Sequence, residues 1–140
     1  MFDNDDPAQR KELIQALQAS GLDATEYGPG GSIMHVIVPL LDEYGEPHTI
    51  TASDPDLRKE LEAGLQVWEH EVLLCIATGS AHKPCEVGLF GYNGQTGRQV
   101  DLPEWEEAKS LEEAKALFQR FWDERDRWLR SFLAGELDVA

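Results

Sequence analysis

The pattern of apolar and polar positions changes its period along the chain, and each change predicts a different kind of element. Near the start, apolar residues recur at helical spacing, which predicts an amphipathic helix. Asp6 and Pro7 are the residue types of an N-cap and a first helical position, and Gly21 is typical of a helix end. The apolar face of this short N-terminal helix consists of Leu13, Ile14 and Leu17.

The next part of the chain has the composition and turn signals of a β-hairpin. Residues 33–41 are rich in β-branched and apolar types, and a turn-forming stretch over 42–47 separates them from 48–52. Asp54 and Pro55 then have the residue types that begin a second, short helix. We expect Gly64 to weaken that helix, because glycine is a poor helix former.

Strand patterns return in the second half of the chain. Residues 67–78 begin with alternation and become apolar on both faces, which predicts a central strand. Residues 86–92 predict the following strand, and the turn at Asn93 and Gly94 sends residues 98–100 back along it. With the hairpin, these stretches predict an antiparallel sheet of four to five strands.

The last element is predicted as one long amphipathic helix. Ser110 and Glu113 have the spacing of a capping box, and a continuous helix is expected from Leu111 to about Ala134, before Gly135. Its apolar stripe, roughly 160° wide, is broader than one sheet face needs. Either the first helix or a second subunit should therefore cover part of it. The stripe comprises Leu111, Ala114, Leu117, Phe118, Phe121, Trp122, Trp128, Leu129, Phe132 and Leu133.

Together these elements predict a single α+β domain over residues 1–140. The expected architecture is an antiparallel sheet with an N-terminal helix, a short middle helix and a long C-terminal helix packed on one face. A chain of 140 residues is long enough to bury a core without disulfides or metal.

Charged side chains follow the opposite face of the C-terminal helix, with one exception. Opposite charges stand four residues apart there, as in Asp126 and Arg130, and such pairs are typical of a solvated face. Arg125 instead projects into the apolar stripe, where an unpaired guanidinium would be costly. It requires a carboxylate of its own domain, a route for its head group to the rim, or a carboxylate across an interface.

The composition is strongly acidic, with 27 Asp and Glu against 12 Lys and Arg and a formal net charge of −15. Such a surface repels nucleic acid and membranes and attracts basic partners. The chain has no apolar run of the roughly 18 residues that span a bilayer, and its first residues carry acid where a signal peptide carries base. We therefore expect a cytoplasmic protein without direct nucleic-acid or membrane binding.

No strong catalytic or metal-binding motif is present in the sequence. His82 and Cys85 have the separation of a zinc-ligand pair, but no second close pair accompanies them, so no metal or cofactor is predicted. Cys75 and Cys85 are expected to be reduced thiols. His35, with Trp68 and His70, belongs to predicted strands and would line an open sheet face if those faces coincide.

These observations favour a non-catalytic acidic protein-binding module, such as an inhibitor, immunity protein, adaptor or chaperone of a basic protein. The wide C-terminal stripe predicts a homodimer, with Arg125, Trp128 and Phe132 as partner-binding residues. One alternative is a DNA mimic that inhibits a nucleic-acid-binding protein. Another is a small enzyme or ligand binder that uses the strand histidines.

Overall fold

The computed structural model describes residues 2–28, 34–43, 47–67, 72–79, 85–94, 98–101 and 105–137. It confirms the α+β class. The helices are α1 Pro7–Ala19, α2 Pro55–Val67, α3 Leu111–Asp123 and α4 Arg125–Leu133. The strands are β1 Thr25–Tyr27, β2 His35–Asp42, β3 Thr49–Ile50, β4 Val72–Thr78, β5 Glu86–Asn93, β6 Arg98–Asp101 and β7 Glu106–Glu107.

The strands form one antiparallel sheet in the order β1-β2-β4-β5-β6, with β3 paired to β2 and β7 paired to β5. The predicted hairpin is confirmed, because Leu41 lies opposite Ile50 in the antiparallel β2–β3 pair. The predicted return strand is confirmed as well, since β6 runs antiparallel to β5 with Asn93 opposite Arg98. The predicted strands correspond to β2, β3, β4, β5 and β6, and the structure adds β1 and β7, which the sequence did not predict. β1, β3 and β7 are strands of two or three residues.

Local side-chain signals set the starts of α1 and α2. The Asp6 carboxylate accepts a hydrogen bond from the Ala8 amide at 3.0 Å, as an N-cap does. Asp54 does the same for Asp56 at 3.0 Å, one residue before Pro55 begins α2. Gly64 does not end α2, which continues to Val67. The strand predicted from residue 67 begins at Val72 in the described residues.

The prediction of one continuous C-terminal helix is wrong, because the helix breaks at Glu124. The guanidinium of Arg125 donates to the main-chain carbonyl of Trp122 at 3.1 Å and so gives that carbonyl a partner outside the helical ladder. The amide of Arg127 then bonds the Glu124 carbonyl at 3.0 Å, only three residues back, which begins α4.

The start of α3 differs in one detail from the predicted capping box. Ser110 accepts from the amide of Glu113 at 3.1 Å, as expected. The Glu113 carboxylate, however, accepts from the amide of Lys109 at 2.7 Å, one residue earlier than the box requires. Both hydrogen bonds of a capping box are therefore present at the start of α3, but the one accepted by Glu113 comes from Lys109 instead of Ser110.

The chain divides into two compact units, so the prediction of one domain stays a prediction. The first unit comprises Met1–Val38, Ile76–Gly88 and Pro103–Phe121. Its buried side chains include Phe2, Leu13, Leu17, Val36, Val38, Ile76, Val87, Ala108, Ala114, Phe118 and Phe121. Arg10 is also buried there, and it donates to Glu26 at 3.1 Å and to the carbonyl of Asn4 at 2.9 Å.

The second unit comprises Pro39–Cys75, Leu89–Leu102 and Trp122–Ala140. Leucines from strands and helices dominate its interior. The buried residues described there include Leu40, Leu41, Leu57, Leu61, Val72, Leu74, Cys75, Leu89, Leu129 and Phe132.

Candidate functional site

Arg125 finds its partners within the second unit. Its Nε donates to the carbonyl of Thr51 at 2.6 Å, and its guanidinium lies 4.4 Å from the centre of the Trp122 ring. With the bond to the Trp122 carbonyl, two main-chain oxygens and an aromatic face satisfy this half-buried cation. The expected carboxylate is not its hydrogen-bond partner in the described residues. Arg125 holds the segment before α2 against the start of α4.

Asp126 completes this attachment. Its carboxylate accepts from the Ser53 amide at 2.8 Å, from the Ser53 hydroxyl at 2.7 Å and from the Asp54 amide at 3.0 Å. Partial burial acts to raise the pKa of Asp126, but these hydrogen bonds and the Arg125 charge outweigh it and hold the pKa below its ordinary value. Arg130 pairs with Asp54, so the predicted Asp126–Arg130 pair is wrong. We call the Arg125 and Asp126 contacts the α4 clamp.

The other two residues predicted to bind a partner differ in accessibility. Phe132 is only 2% exposed and belongs to the core of the second unit. Trp128 is half-buried, with the Arg127 guanidinium 4.6 Å from the centre of its ring. A partner role for these residues stays a prediction, and Phe132 has the least surface to offer.

His35 serves the first unit as a link between β2 and β4. Its Nδ1 lies 2.7 Å from the carbonyl oxygen of Thr78, and the Thr78 hydroxyl accepts from the Val36 amide at 2.9 Å. A carbonyl only accepts, so Nδ1 carries the proton in this contact. Trp68 and His70, the other members of the proposed ligand set, lie outside the described residues. The ligand-binding role of the three stays a prediction.

Both cysteines are buried free thiols. Burial, with the charge of Asp42, raises the pKa of Cys75 well above its usual range. Burial first, and then the charges of Asp3, Asp5 and Glu86, raise the pKa of Cys85 to about 12. Neither group is therefore an activated nucleophile. The described ranges contain no group of three or more metal-binding side chains, and His82 lies outside them.

An open groove lies between β7 and α3 in the first unit, and sequence reasoning missed it. Its volume is about 560 Å³. Glu106 and Arg120 form an ion pair across it. Ala116 and Leu117 give it an apolar floor, and Glu107 and Glu113 are its other lining residues. We call these six residues the β7–α3 groove.

The register of β7 shows which of its main-chain groups are used. Glu107 lies opposite Glu86 and Glu106 opposite Val87, and the Ala108 amide donates to the Cys85 carbonyl at 2.7 Å. Hydrogen-bonded and non-bonded pairs alternate in an antiparallel ladder, so the amide and carbonyl of Glu107 point away from β5. Neither group has a hydrogen bond to another described residue. Glu107 thus presents an open sheet edge beside the groove.

Trp105 fixes the position of this short strand. Its indole ring lies against Gly88 of β5, where a Cβ atom would come within 2.5 Å of the ring. Only glycine leaves room for the ring at that distance. The packing of Trp105 on Gly88 therefore holds β7 in register beside β5.

None of the helices described is long and apolar enough to cross a membrane. No protein-family model, curated protein or solved structure matches this chain.

Proposed function

We propose that this protein is a non-catalytic binding module for a basic protein partner and that the β7–α3 groove receives a segment of that partner. The observation that carries the proposal is an apolar floor with uncompensated carboxylates at its side. Ala116 and Leu117 supply the floor, and the groove opens to solvent. A segment with both apolar and basic side chains complements this surface.

The charge of the groove follows from its contacts. Arg120 is the single cation among the described residues that line the groove, and Glu106 pairs with it. Glu107 and Glu113 are exposed, and no salt bridge joins either to a cation among the described residues. Glu113 accepts a main-chain amide, which leaves its negative charge in place. In a chain of net charge −15, these two carboxylates favour an approaching cation over an anion.

The proposal is tested by fluorescence anisotropy with two labelled synthetic peptides of equal length. One alternates lysine and valine, and the other alternates glutamate and valine. The lysine peptide should bind, and its affinity should fall as salt is added, because screening weakens exposed charge pairs. Absence of binding, or equal binding of both peptides, would contradict the proposal.

Charge variants locate the binding. Glu107→Gln removes one carboxylate of the groove residues. It should lower the affinity for the lysine peptide by about twofold to fivefold, the range expected for an exposed ion pair. Glu112→Gln is the matched control, because Glu112 is exposed on α3 and does not line the groove. Equal losses in the two variants would indicate general attraction to an acidic surface instead of a site.

Self-association is a separate proposal with less structural support than the sequence suggested. Phe118, Phe121 and Phe132 are each buried within the single chain, so they do not need a second subunit. Trp122 and Trp128 remain half-buried and are part of the apolar surface of α3 and α4 on which a homodimer would rest. Light scattering that gives twice the 15.7 kDa chain mass would support a dimer, and the mass of one chain would contradict it.

A further inference from the structure

We infer that the partner segment binds in an extended conformation, as a strand added to the outer edge of β7. This inference rests on the proposed function and specifies how the same groove would bind its partner. Exposed sheet edges bind peptides by main-chain hydrogen bonds, while alternate side chains enter pockets on either side. The β7–α3 groove combines such an edge with a neighbouring helix.

Within β7, the main-chain groups that point outward are those of Glu107. Two residues further on, the Lys109 amide already donates to Glu113, and the Lys109 carbonyl accepts from the Phe2 amide at 2.9 Å. These bonds close the edge at that end. The outward amide and carbonyl of Glu107 are one donor and one acceptor at the spacing that a neighbouring strand matches. An added strand would therefore be anchored at Glu107.

The side chains around the edge select an alternating sequence. Glu106 faces α3, because it pairs with Arg120, and Glu107 therefore lies on the other face of the strand. In an added strand, residues on the α3 side would contact Leu117 and Ala116, which favours apolar types. Residues on the opposite side would lie beside the Glu107 carboxylate, which favours lysine or arginine.

A proline substitution tests the main-chain part of this arrangement. Glu107→Pro deletes the outward N–H and leaves the ladder between β7 and β5 intact, since that N–H does not point at β5. We expect Glu107→Pro to lower the affinity for the lysine peptide by at least about tenfold relative to the wild type, a larger loss than in Glu107→Gln. In the wild type, the bound peptide should slow hydrogen exchange of the Glu107 amide, a change that lost charge alone does not produce.

A second arm uses wild-type protein, so that it does not depend on the folding of a variant. The lysine peptide is prepared in two N-methylated forms, one methylated on the odd-numbered residues and the other on the even-numbered residues. Each form lacks the N–H donors along one edge of the extended peptide. One version should lose binding and the other should keep it, because an added strand uses only one of its edges.

The outcomes separate this inference from the proposed function. If the wild type binds neither labelled peptide, both fail. Strand addition is overturned, and the module stands, if the lysine peptide binds in a salt-dependent way, folded Glu107→Pro binds it no more weakly than Glu107→Gln does, and both methylated peptides keep the affinity of the unmethylated one. A helical bound peptide, seen by isotope-edited spectroscopy, would overturn strand addition as well.

Discussion

Asp126 and Glu107 are both acidic residues at the start or edge of an element, yet the fold uses them in opposite ways. Asp126 accepts three hydrogen bonds from Ser53 and Asp54, and its charge serves to hold a loop. Glu107 has an exposed carboxylate, and its main-chain groups point away from its own sheet. The Asp126 carboxylate is used within the fold, whereas the Glu107 carboxylate is exposed to solvent.

This difference limits what net charge can say about function. A formal charge of −15 counts every carboxylate equally, including those that cap helices or hold loops. Asp6 and Asp54 cap helix starts, as Asp126 holds a loop. Under the proposed function, the carboxylates that matter for binding are those without such a structural use, and Glu107 is an example.

The largest expected effect is a loss of stability at Phe132, which tests whether the interior around α4 is fully packed. Phe132→Ala should lower the free energy of unfolding by about 3–5 kcal/mol, because it leaves a cavity in a filled core. Urea denaturation followed by far-UV circular dichroism measures the change. Trp128→Ala, at a half-buried position, should cost less. A loss below about 1 kcal/mol for Phe132→Ala would mean that its ring is not packed as described.

The next effect concerns the clamp. Asp126→Ala should lower the free energy of unfolding by about 2 kcal/mol, because the Ser53 and Asp54 donors lose a charged acceptor. Glu60→Ala is the matched control on an exposed face of α2, and it should change the stability by less than about 0.5 kcal/mol. Similar values for both variants would show that the carboxylate contributes nothing to the folded state.

The same carboxylate predicts a dependence on pH. The pKa of Asp126 in the folded chain is below its ordinary value of 3.8, so its stabilisation is present above that value and is lost as the pH falls through the folded-state pKa. Below about pH 4, Asp126→Asn should therefore lose stability less steeply than the wild type. Parallel pH profiles of unfolding free energy would contradict the lowered pKa.

The smallest effect on stability is expected at Glu107. Glu107→Pro should change the unfolding free energy by no more than about 0.5 kcal/mol, since its amide has no ladder partner. Glu106→Pro is the contrasting variant, because the Glu106 amide faces β5, and it should cost about 1–3 kcal/mol. Equal costs at the two positions would mean that the register of β7 is not the one described.

Sequence reasoning recovered the elements whose signals are local. Asp6 with Pro7 and Ser110 with Glu113 mark helix starts that the structure confirms, since these side chains bond amides within a few residues. The strands β2, β4 and β5 were recognised from apolar runs. Their approximate bounds and the α+β class followed from these patterns alone.

The groove and the clamp could not be predicted in the same way. β7 consists of two glutamates, which have low strand propensity, and it exists because of its pairing with β5 and the packing of Trp105 on Gly88. The break at Glu124 is accompanied by a hydrogen bond from Arg125 to the Trp122 carbonyl. The sequence indicates that Arg125 needs a partner, but it does not identify this carbonyl. Both features arise from tertiary packing.

The clamp also has a kinetic consequence. The bonds between Asp126 and Ser53 join residues 73 positions apart, so they cannot form until a long loop of the chain has closed. We therefore expect these contacts to be absent from the folding transition state. Weakening them should accelerate unfolding and leave the refolding rate nearly unchanged. In that sense the clamp sets the lifetime of the folded chain more than the speed at which it folds.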